Sequence, residues 1–251
     1  MSADKKRTPS LSEYLSLVVA GDRQALAKAI TLVENYPEIA VPKSLQHPHI
    51  IGITGSPGVG KSTTVNSMIK TLREKGKSVA VIAVDPSSPI TGGALLGDRI
   101  RLTEHFLDTQ VFIRSLATRG HLGGLSGAAA NAIAVTSYGN FDYIIVETVG
   151  VGQSEVEVMK YVETVVIVLA PGMGDGIQAS KAGVLEIGHI YLVNKSDRDG
   201  AKTLVRELEK SLNLMGKKYG WTPPILLGAM EHSTGIAELM DSIGMHAARN
   251  S

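Results

Sequence analysis

From residue 49 onward, short runs of apolar residues alternate with longer stretches in which apolar residues recur at helical spacing. An apolar run without polar alternation is typical of a strand in a sheet that is covered on both faces. Such runs predict strands at 49–54, 78–85, 111–115, 143–147, 164–170, 190–195 and 224–228. The stretches between them predict helices at 61–75, 124–137, 177–187, 201–219 and 236–249. This alternation predicts an α/β fold with a doubly wound, mostly parallel sheet, whose ligand binds at the carboxyl ends of the strands.

Residues 1–48 have a different pattern and are predicted to form a short N-terminal helical extension in front of a domain spanning 49–251. Apolar residues recur at helical spacing on both sides of Gly21-Asp22, a pair typical of the end of one helix and the N-cap of the next. We therefore expect two short helices followed by a linker that contains proline. The sequence leaves open whether these helices are an appendage or a surface for a partner.

The amino-acid composition argues against several classes of function. The 251 residues are 43% hydrophobic and 20% charged, and 25 Lys and Arg nearly balance 24 Asp and Glu. This balance argues against a protein that coats nucleic acid or an anionic membrane. The absence of cysteine excludes disulfides and thiolate metal sites, and the seven histidines, including His47 and His49, show no metal-ligand spacing. With no secretory signal and no apolar run near ~20 residues, we expect a cytoplasmic protein, or one of a matrix-like space if a targeting segment has been removed.

The sequence GSPGVGKS at 55–62 matches the phosphate-loop pattern, follows a predicted strand and opens a predicted helix. Its glycines let the backbone curl so that successive N–H groups face phosphate oxygens. Lys61 would supply a charge for the β- and γ-phosphates, and the Ser62 hydroxyl would ligate Mg²⁺. The predicted nucleotide-binding residues of this loop are Gly58, Val59, Gly60, Lys61, Ser62 and Thr63.

Acidic residues end two other predicted strands. The strand at 143–147 ends in Glu147, where a P-loop protein needs a carboxylate to position a water on Mg²⁺, and Gly150 could donate its N–H to the γ-phosphate. Asp85 ends the strand at 78–85, and Asp98 lies in the glycine-containing loop that follows, which could close on Mg²⁺ and the γ-phosphate. Because Val151 rather than glutamine follows Gly150, we expect slow intrinsic hydrolysis.

Asn194-Lys195-Ser196-Asp197 has the N-K-x-D pattern at the end of a predicted strand. The Asp197 carboxylate could accept hydrogen bonds from N1–H and N2–H₂ of guanine, whereas adenine would leave it unpaired. Asn194 could meet the other edge of the base, and the stem of Lys195 could lie along its plane. The backbone N–H groups of Gly228 and Ala229 could reach guanine O6. The pattern therefore predicts that GTP and GDP bind, and that adenine nucleotides do not.

Seven segments together carry a family resemblance: AGDRQALAKAITLVEN, GSPGVGKST, DPSSPITGGALLGDRIRL, FIRSLATRGHLGGLS, ETVGVGQSE, NKSD and WTPP. They resemble the MeaB/ArgK group of P-loop GTPases, and the match runs over nearly the whole chain. The resemblance implies a Mg²⁺-dependent GTP hydrolase that is a chaperone of adenosylcobalamin-dependent methylmalonyl-CoA mutase or a related acyl-CoA mutase. Its GTP hydrolysis would gate cofactor loading and protect or reactivate the mutase.

The resemblance also implies roles for individual residues. Asp85, Asp98 and Glu147 would be the acidic groups around Mg²⁺, beside the Ser62 hydroxyl, with Asp98 in a first switch. Residues 174–181 would form a third switch that faces the mutase. The implied catalytic residues are Lys61, Asp98, Glu147 and Gly150.

Three other functions stay open: a metallochaperone GTPase delivering nickel or zinc, a P-loop ATPase or kinase, and a nucleotide-dependent binding module with little hydrolysis. The absence of cysteine argues against the first, and the N-K-x-D pattern against the second. We expect a partner to speed hydrolysis by ordering the switches or by fixing Arg99, Arg101 or Arg119 near the γ-phosphate. Relatives build a homodimer on a longer C-terminal helical arm, and because this chain ends at Ser251, the sequence leaves the homodimer open.

Overall fold

The computed structural model describes residues 10–85, 102–117, 124–148, 153–172, 183–215 and 220–249. Within these residues, seven strands form one sheet in the order β3-β2-β4-β1-β5-β6-β7, and every pairing is parallel. The strands are β1 (His49–Thr54), β2 (Val79–Asp85), β3 (Val111–Ala117), β4 (Tyr143–Thr148), β5 (Thr164–Leu169), β6 (Ile190–Val193) and β7 (Ile225–Leu227). The predicted α/β fold with a parallel sheet is confirmed, and each strand end lies within two residues of its predicted position.

The helices of the described residues are α1 (Leu11–Val19), α2 (Arg23–Asn35), α3 (Lys61–Glu74), α4 (Gly124–Thr136), α5 (Gln153–Val158), α6 (Ala201–Met215) and α7 (Ile236–Ala247). The predicted helix at 177–187 is wrong in its described part. There, Gly183 has φ +69° and is followed by a single 3₁₀ turn at Val184–Ile187, while 177–182 lie outside the described residues. Pattern reasoning missed α5, because six residues are too few to establish a helical period.

Helices cover both faces of the sheet, as the doubly wound prediction requires. Helices α1, α2 and α4 pack on one face at β2 and β4, and α6 packs at β5 and β6. Helices α3 and α7 pack on the other face, over the centre of the sheet. The adjacent residues Ile144 and Ile145 of β4 belong to these two different cores, which explains why the strand has no polar alternation.

The two N-terminal helices share their apolar face with the sheet. Gly21 has φ +94° and ends α1, and the Asp22 carboxylate caps α2 by accepting hydrogen bonds from two backbone N–H groups. Leu26 and Ile30 of α2 are fully buried in the same core as the strands β2 and β4. Arg114 of β3 reaches α2, where it pairs with a carboxylate 3.2 Å away. These contacts fix the helices on the sheet.

Candidate functional site

The phosphate loop runs from the end of β1 to the start of α3, at the centre of the sheet. Gly55, Gly58 and Gly60 have φ values of +147°, +82° and +100°, which L side chains rarely adopt. At Gly60 there is also no space, because a Cβ atom would lie 2.2 Å from Nδ2 of Asn194. The glycine pattern that predicted this loop therefore reflects both backbone curvature and close packing.

Lys61 lies across this loop. Its Nζ donates to the carbonyl oxygens of Gly55, at 2.8 Å, and of Ser56, at 3.0 Å, and the residue is buried. Gly60 is the N-cap of α3 and gives no side-chain cap, so the N–H groups of the first turn, which includes the half-buried Thr63, face the loop as an anion site. The arrangement can hold the phosphates of a nucleotide.

Ser56 carries an unusual polar group in this loop. Its hydroxyl oxygen is buried and forms no hydrogen bond with any residue of the described ranges, although its carbonyl accepts from Lys61. A buried polar group without a partner costs about 1–3 kcal/mol. The loop therefore keeps a local energetic cost next to the anion site.

A hydroxyl and a carboxylate meet beside the loop. The Ser62 hydroxyl donates to Oε1 of Glu147 at 2.7 Å, and both residues are buried. The contact forms because β4 pairs directly with β1, with Glu147 in register with Ile53. Oxygen ligands of this kind are those that Mg²⁺ prefers. The pair predicted from two separate motifs is brought together and fits a magnesium site.

A second pair of hydroxyls, which the sequence reasoning missed, holds the same two strand ends. The Thr148 hydroxyl donates to that of Thr54 at 3.0 Å, and both side chains are buried. The sequence signal is weak: Thr54 ends one predicted strand, and Thr148 directly follows the other. The pair fixes the end of the acidic strand against the strand that carries the phosphate loop.

The structure places the other predicted acidic residues only in part. Asp85 ends β2, which pairs with β4, so its backbone lies at the same edge of the sheet as Glu147. Several predicted residues lie outside the described part of the chain, namely Asp98, Gly150, Arg99, Arg101, Arg119 and the segment 174–181. Their roles stay predictions.

Asn194 holds the phosphate loop to the segment after β7. Its side-chain Nδ2 donates to the carbonyl of Val59 at 2.8 Å, and its Oδ1 accepts from the backbone N–H of Met230 at 3.0 Å. Only 3% of the residue is exposed. Both ends of the amide are therefore bonded to backbone atoms, and Asn194 acts as a brace. Its predicted contact with the base edge stays a prediction.

Lys195 and Asp197 follow β6 at the same edge. Lys195 has φ +56°, and its Nζ donates to the carbonyl of Gly58 at 2.6 Å, so its stem ends at the phosphate loop. The Asp197 side chain is exposed. The N–H groups of Gly228 and Ala229 donate within the fold, to the carbonyls of Val193 and Thr234. The predicted contacts of these residues with guanine stay predictions.

Two properties of the described residues bear on other classes of function. No helix in these ranges is long and apolar enough to cross a membrane. Within the same part of the chain, no group of three His, Asp or Glu side chains could hold a metal ion. A magnesium ion held at Ser62 and Glu147 would take further oxygen ligands from the bound nucleotide, as in P-loop enzymes.

Comparison with known proteins gives consistent matches. Residues 26–250 match the family model described as methylmalonyl-CoA mutase-associated GTPase MeaB. A Pyrococcus horikoshii protein named as a GTPase is 49% identical over 245 residues, covering 94% of this chain and 77% of that protein. GTPase ArgK of Escherichia coli is 37% identical over 248 residues, covering 93% of this chain and 75% of its own. The crystal structure of a LAO/AO transport system kinase aligns with a TM-score of 0.73 at 28% identity, covering 98% of this chain and 77% of that chain.

Proposed function

Because the chain belongs to the family of methylmalonyl-CoA mutase-associated GTPases, we propose that it is a chaperone of a B12-dependent acyl-CoA mutase. It is a P-loop GTPase whose ligands are GTP, GDP and Mg²⁺. The proposal concerns the partner and the use of hydrolysis. GTP turnover would gate the loading of adenosylcobalamin and would protect or reactivate the mutase.

The observation that carries the proposal is the extent of the family match. Residues 26–250 include every strand of the sheet, the phosphate loop and the N-K-x-D segment. The match therefore extends over nearly the whole of this chain and is not confined to a phosphate loop that many unrelated enzymes share, which supports the proposal.

The residues of this chain supply positioning and charge, which account for most of the catalysis of phosphoryl transfer. Lys61, held by two carbonyl oxygens, brings a fixed positive charge to the loop. Because the Ser62 hydroxyl donates its hydrogen to Glu147, its lone pairs remain to hold a cation. Mg²⁺, when bound, neutralises negative charge on the β- and γ-phosphate oxygens.

The sequence lacks a glutamine that many GTPases use in hydrolysis, and this lack leads us to expect that a partner controls the hydrolysis rate. Val151 follows Gly150 where many GTPases carry a glutamine that orients the attacking water. We expect the free protein to turn over slowly and the mutase to complete the site by ordering the switches or fixing an arginine. A supplied arginine raises the rate by ~10³–10⁵ in other GTPases.

The test is phosphate release from GTP, titrated with each B12-dependent mutase of the same organism, beside pull-downs in the presence of GTP or GDP. We expect a faster rate and binding that depends on the nucleotide. The mutase should change nucleotide affinity by the factor by which the nucleotide changes mutase affinity. Neither binding nor a rate change with any of these mutases would defeat the chaperone proposal and leave the GTPase assignment intact.

A further inference from the structure

A groove opens between α3, α7 and the start of β4, at the end of the sheet opposite the phosphate loop. Its volume is about 570 Å³, within the range of roughly 300–1,000 Å³ that is usual for sites of small molecules. The C-cap of α3, Lys75, lines the groove, whereas the first turn of α3 belongs to the phosphate loop, so the two lie about 20 Å apart. The lining residues are Leu72, Lys75, Lys77, Tyr143, Met240, Asp241, Gly244 and Met245.

The apolar part of the lining comes from both helices and from one aromatic ring. Leu72 of α3 and Met240 of α7 are buried and belong to the core that these helices share, whereas Met245 is exposed. The ring of Tyr143 meets that of His49 edge-on, with centroids 6.2 Å apart. Because methionine side chains are flexible and polarizable, this lining can adapt to apolar groups of different shape.

One position of the lining is a glycine inside a helix, although helices disfavour glycine relative to alanine. Gly244 lies in α7 and does not have the positive φ that would favour glycine. A Cβ atom at this position would meet no atom of the described residues within 4 Å, so close packing does not require glycine either. The missing side chain instead leaves open space in the groove.

The polar part of the lining carries mainly hydrogen-bond donors. Among the described residues, neither the Lys75 ammonium nor the Tyr143 hydroxyl has a hydrogen-bond or ion-pair partner. Lys77 donates one of its three N–H bonds to Oδ1 of Asp142, at 3.0 Å. Asp241 supplies the carboxylate of the lining, and it forms no ion pair with the described lysines. Two ammonium groups and a hydroxyl therefore face one carboxylate, which favours a ligand whose polar end accepts hydrogen bonds.

We propose that this groove is a binding site for a small amphiphilic anion, a molecule with an apolar body and a carboxylate head. The apolar body lies against Leu72, Met240 and Met245 and occupies the space beside Gly244. The head lies toward Lys75, which has no other partner in the described part of the chain. The site belongs to the chain itself and does not depend on the partner proposed above.

The probe for this site is decanoate, titrated below its micellar concentration into the full-length chain. The chain is first saturated with GDP and Mg²⁺, so that the phosphate loop cannot bind the carboxylate. Met240 and Met245 are two of the eight methionines, and labelling with ¹³C at the methionine methyl groups reports on each of them. We expect saturable shifts of these two methyl resonances and none of the others. Decyltrimethylammonium, which has the same tail and a positive head, should bind more weakly.

Gly244→Leu is the decisive variant, because its side chain would project into the space that the apolar body needs. Decanoate should bind roughly tenfold more weakly, the effect of withdrawing about two CH₂ groups from apolar surroundings. Since leucine favours a helix over glycine, the melting temperature should rise by about 2–4 °C, which separates lost binding from lost folding.

Gly127→Leu is the matched control. Gly127 lies in α4, a Cβ atom there also meets no described atom within 4 Å, and the residue does not line the groove. This variant should leave decanoate binding unchanged.

Two variants at exposed positions test the charge of the ligand. Lys75→Gln should weaken decanoate by about twofold to fivefold, the range of an exposed ion pair, and Asp241→Asn should tighten it by a similar factor. The opposite pattern would overturn the choice of an anion. Methyl shifts that persist in Gly244→Leu, or no saturable shift at Met240 and Met245, would overturn the site. A wild-type dimer that Gly244→Leu dissociates, without decanoate binding, would assign the groove to a second copy of the chain instead.

Discussion

Replacing Asn194 with alanine separates a brace from a base-reading residue. The substitution removes two buried hydrogen bonds and leaves the carbonyl of Val59 and the N–H of Met230 without their partners. Each such loss costs about 1–3 kcal/mol, and water that enters the space recovers part of it. We therefore expect the free energy of unfolding to fall by about 2–4 kcal/mol, which lowers the melting temperature by roughly 8 °C for a chain of this size.

The same variant makes a second, sharper prediction about ligands. If Asn194 holds the phosphate loop in shape, its loss should weaken GDP and ADP by a similar factor, because both nucleotides use the same loop. If it reads the base, only GDP should weaken. Calorimetric titration with each nucleotide distinguishes the two outcomes. The control is Asn213→Ala, the same substitution at an exposed position of α6, which should change neither nucleotide affinity nor the melting temperature. Selective loss of GDP binding with an unchanged melting temperature would refute the brace.

Four further predictions concern individual side chains, three by substitution and one by pH. Lys61→Ala should abolish phosphate release, because the β- and γ-phosphate charge loses its cation; a wild-type rate would contradict the assignment of the loop. Asp197→Ala should remove most of the preference for GDP over ADP, measured by calorimetry, and equal affinities in the wild type would defeat that reasoning. Ser56→Ala should leave the melting temperature unchanged or raised, since its hydroxyl makes no hydrogen bond with the part of the chain that the structure describes; a marked fall would show a further contact. Burial lowers the pKa of both His105 and His246, so stability in urea titrations should be constant above pH ~6.5 and decline below it; a stability that rises on acidification through this range would be inconsistent with buried neutral rings.

The sequence predicted the sheet well, because its strands are covered on both faces and are therefore uniformly apolar. The phosphate loop could be predicted equally well from the sequence, since its backbone angles are ones that few residues other than glycine adopt. The brace role of Asn194 could not be predicted, because both of its partners are backbone atoms that leave no signature in the side chains. The contacts of His49 and His246 with the Thr164 hydroxyl could not be predicted for another reason: the three residues come from distant parts of the chain and meet only through the order of the strands and the packing of α7.

The close contact between Gly60 and Asn194 has a consequence for how this sequence can change over time. Any side chain at Gly60 would have to displace the Asn194 amide, and that displacement would release Val59 and Met230 together. A substitution at one position therefore alters what the other can tolerate. The phosphate loop and the N-K-x-D segment, although distant along the chain, form one unit of evolutionary variation, and a designer who wishes to alter either must redesign both.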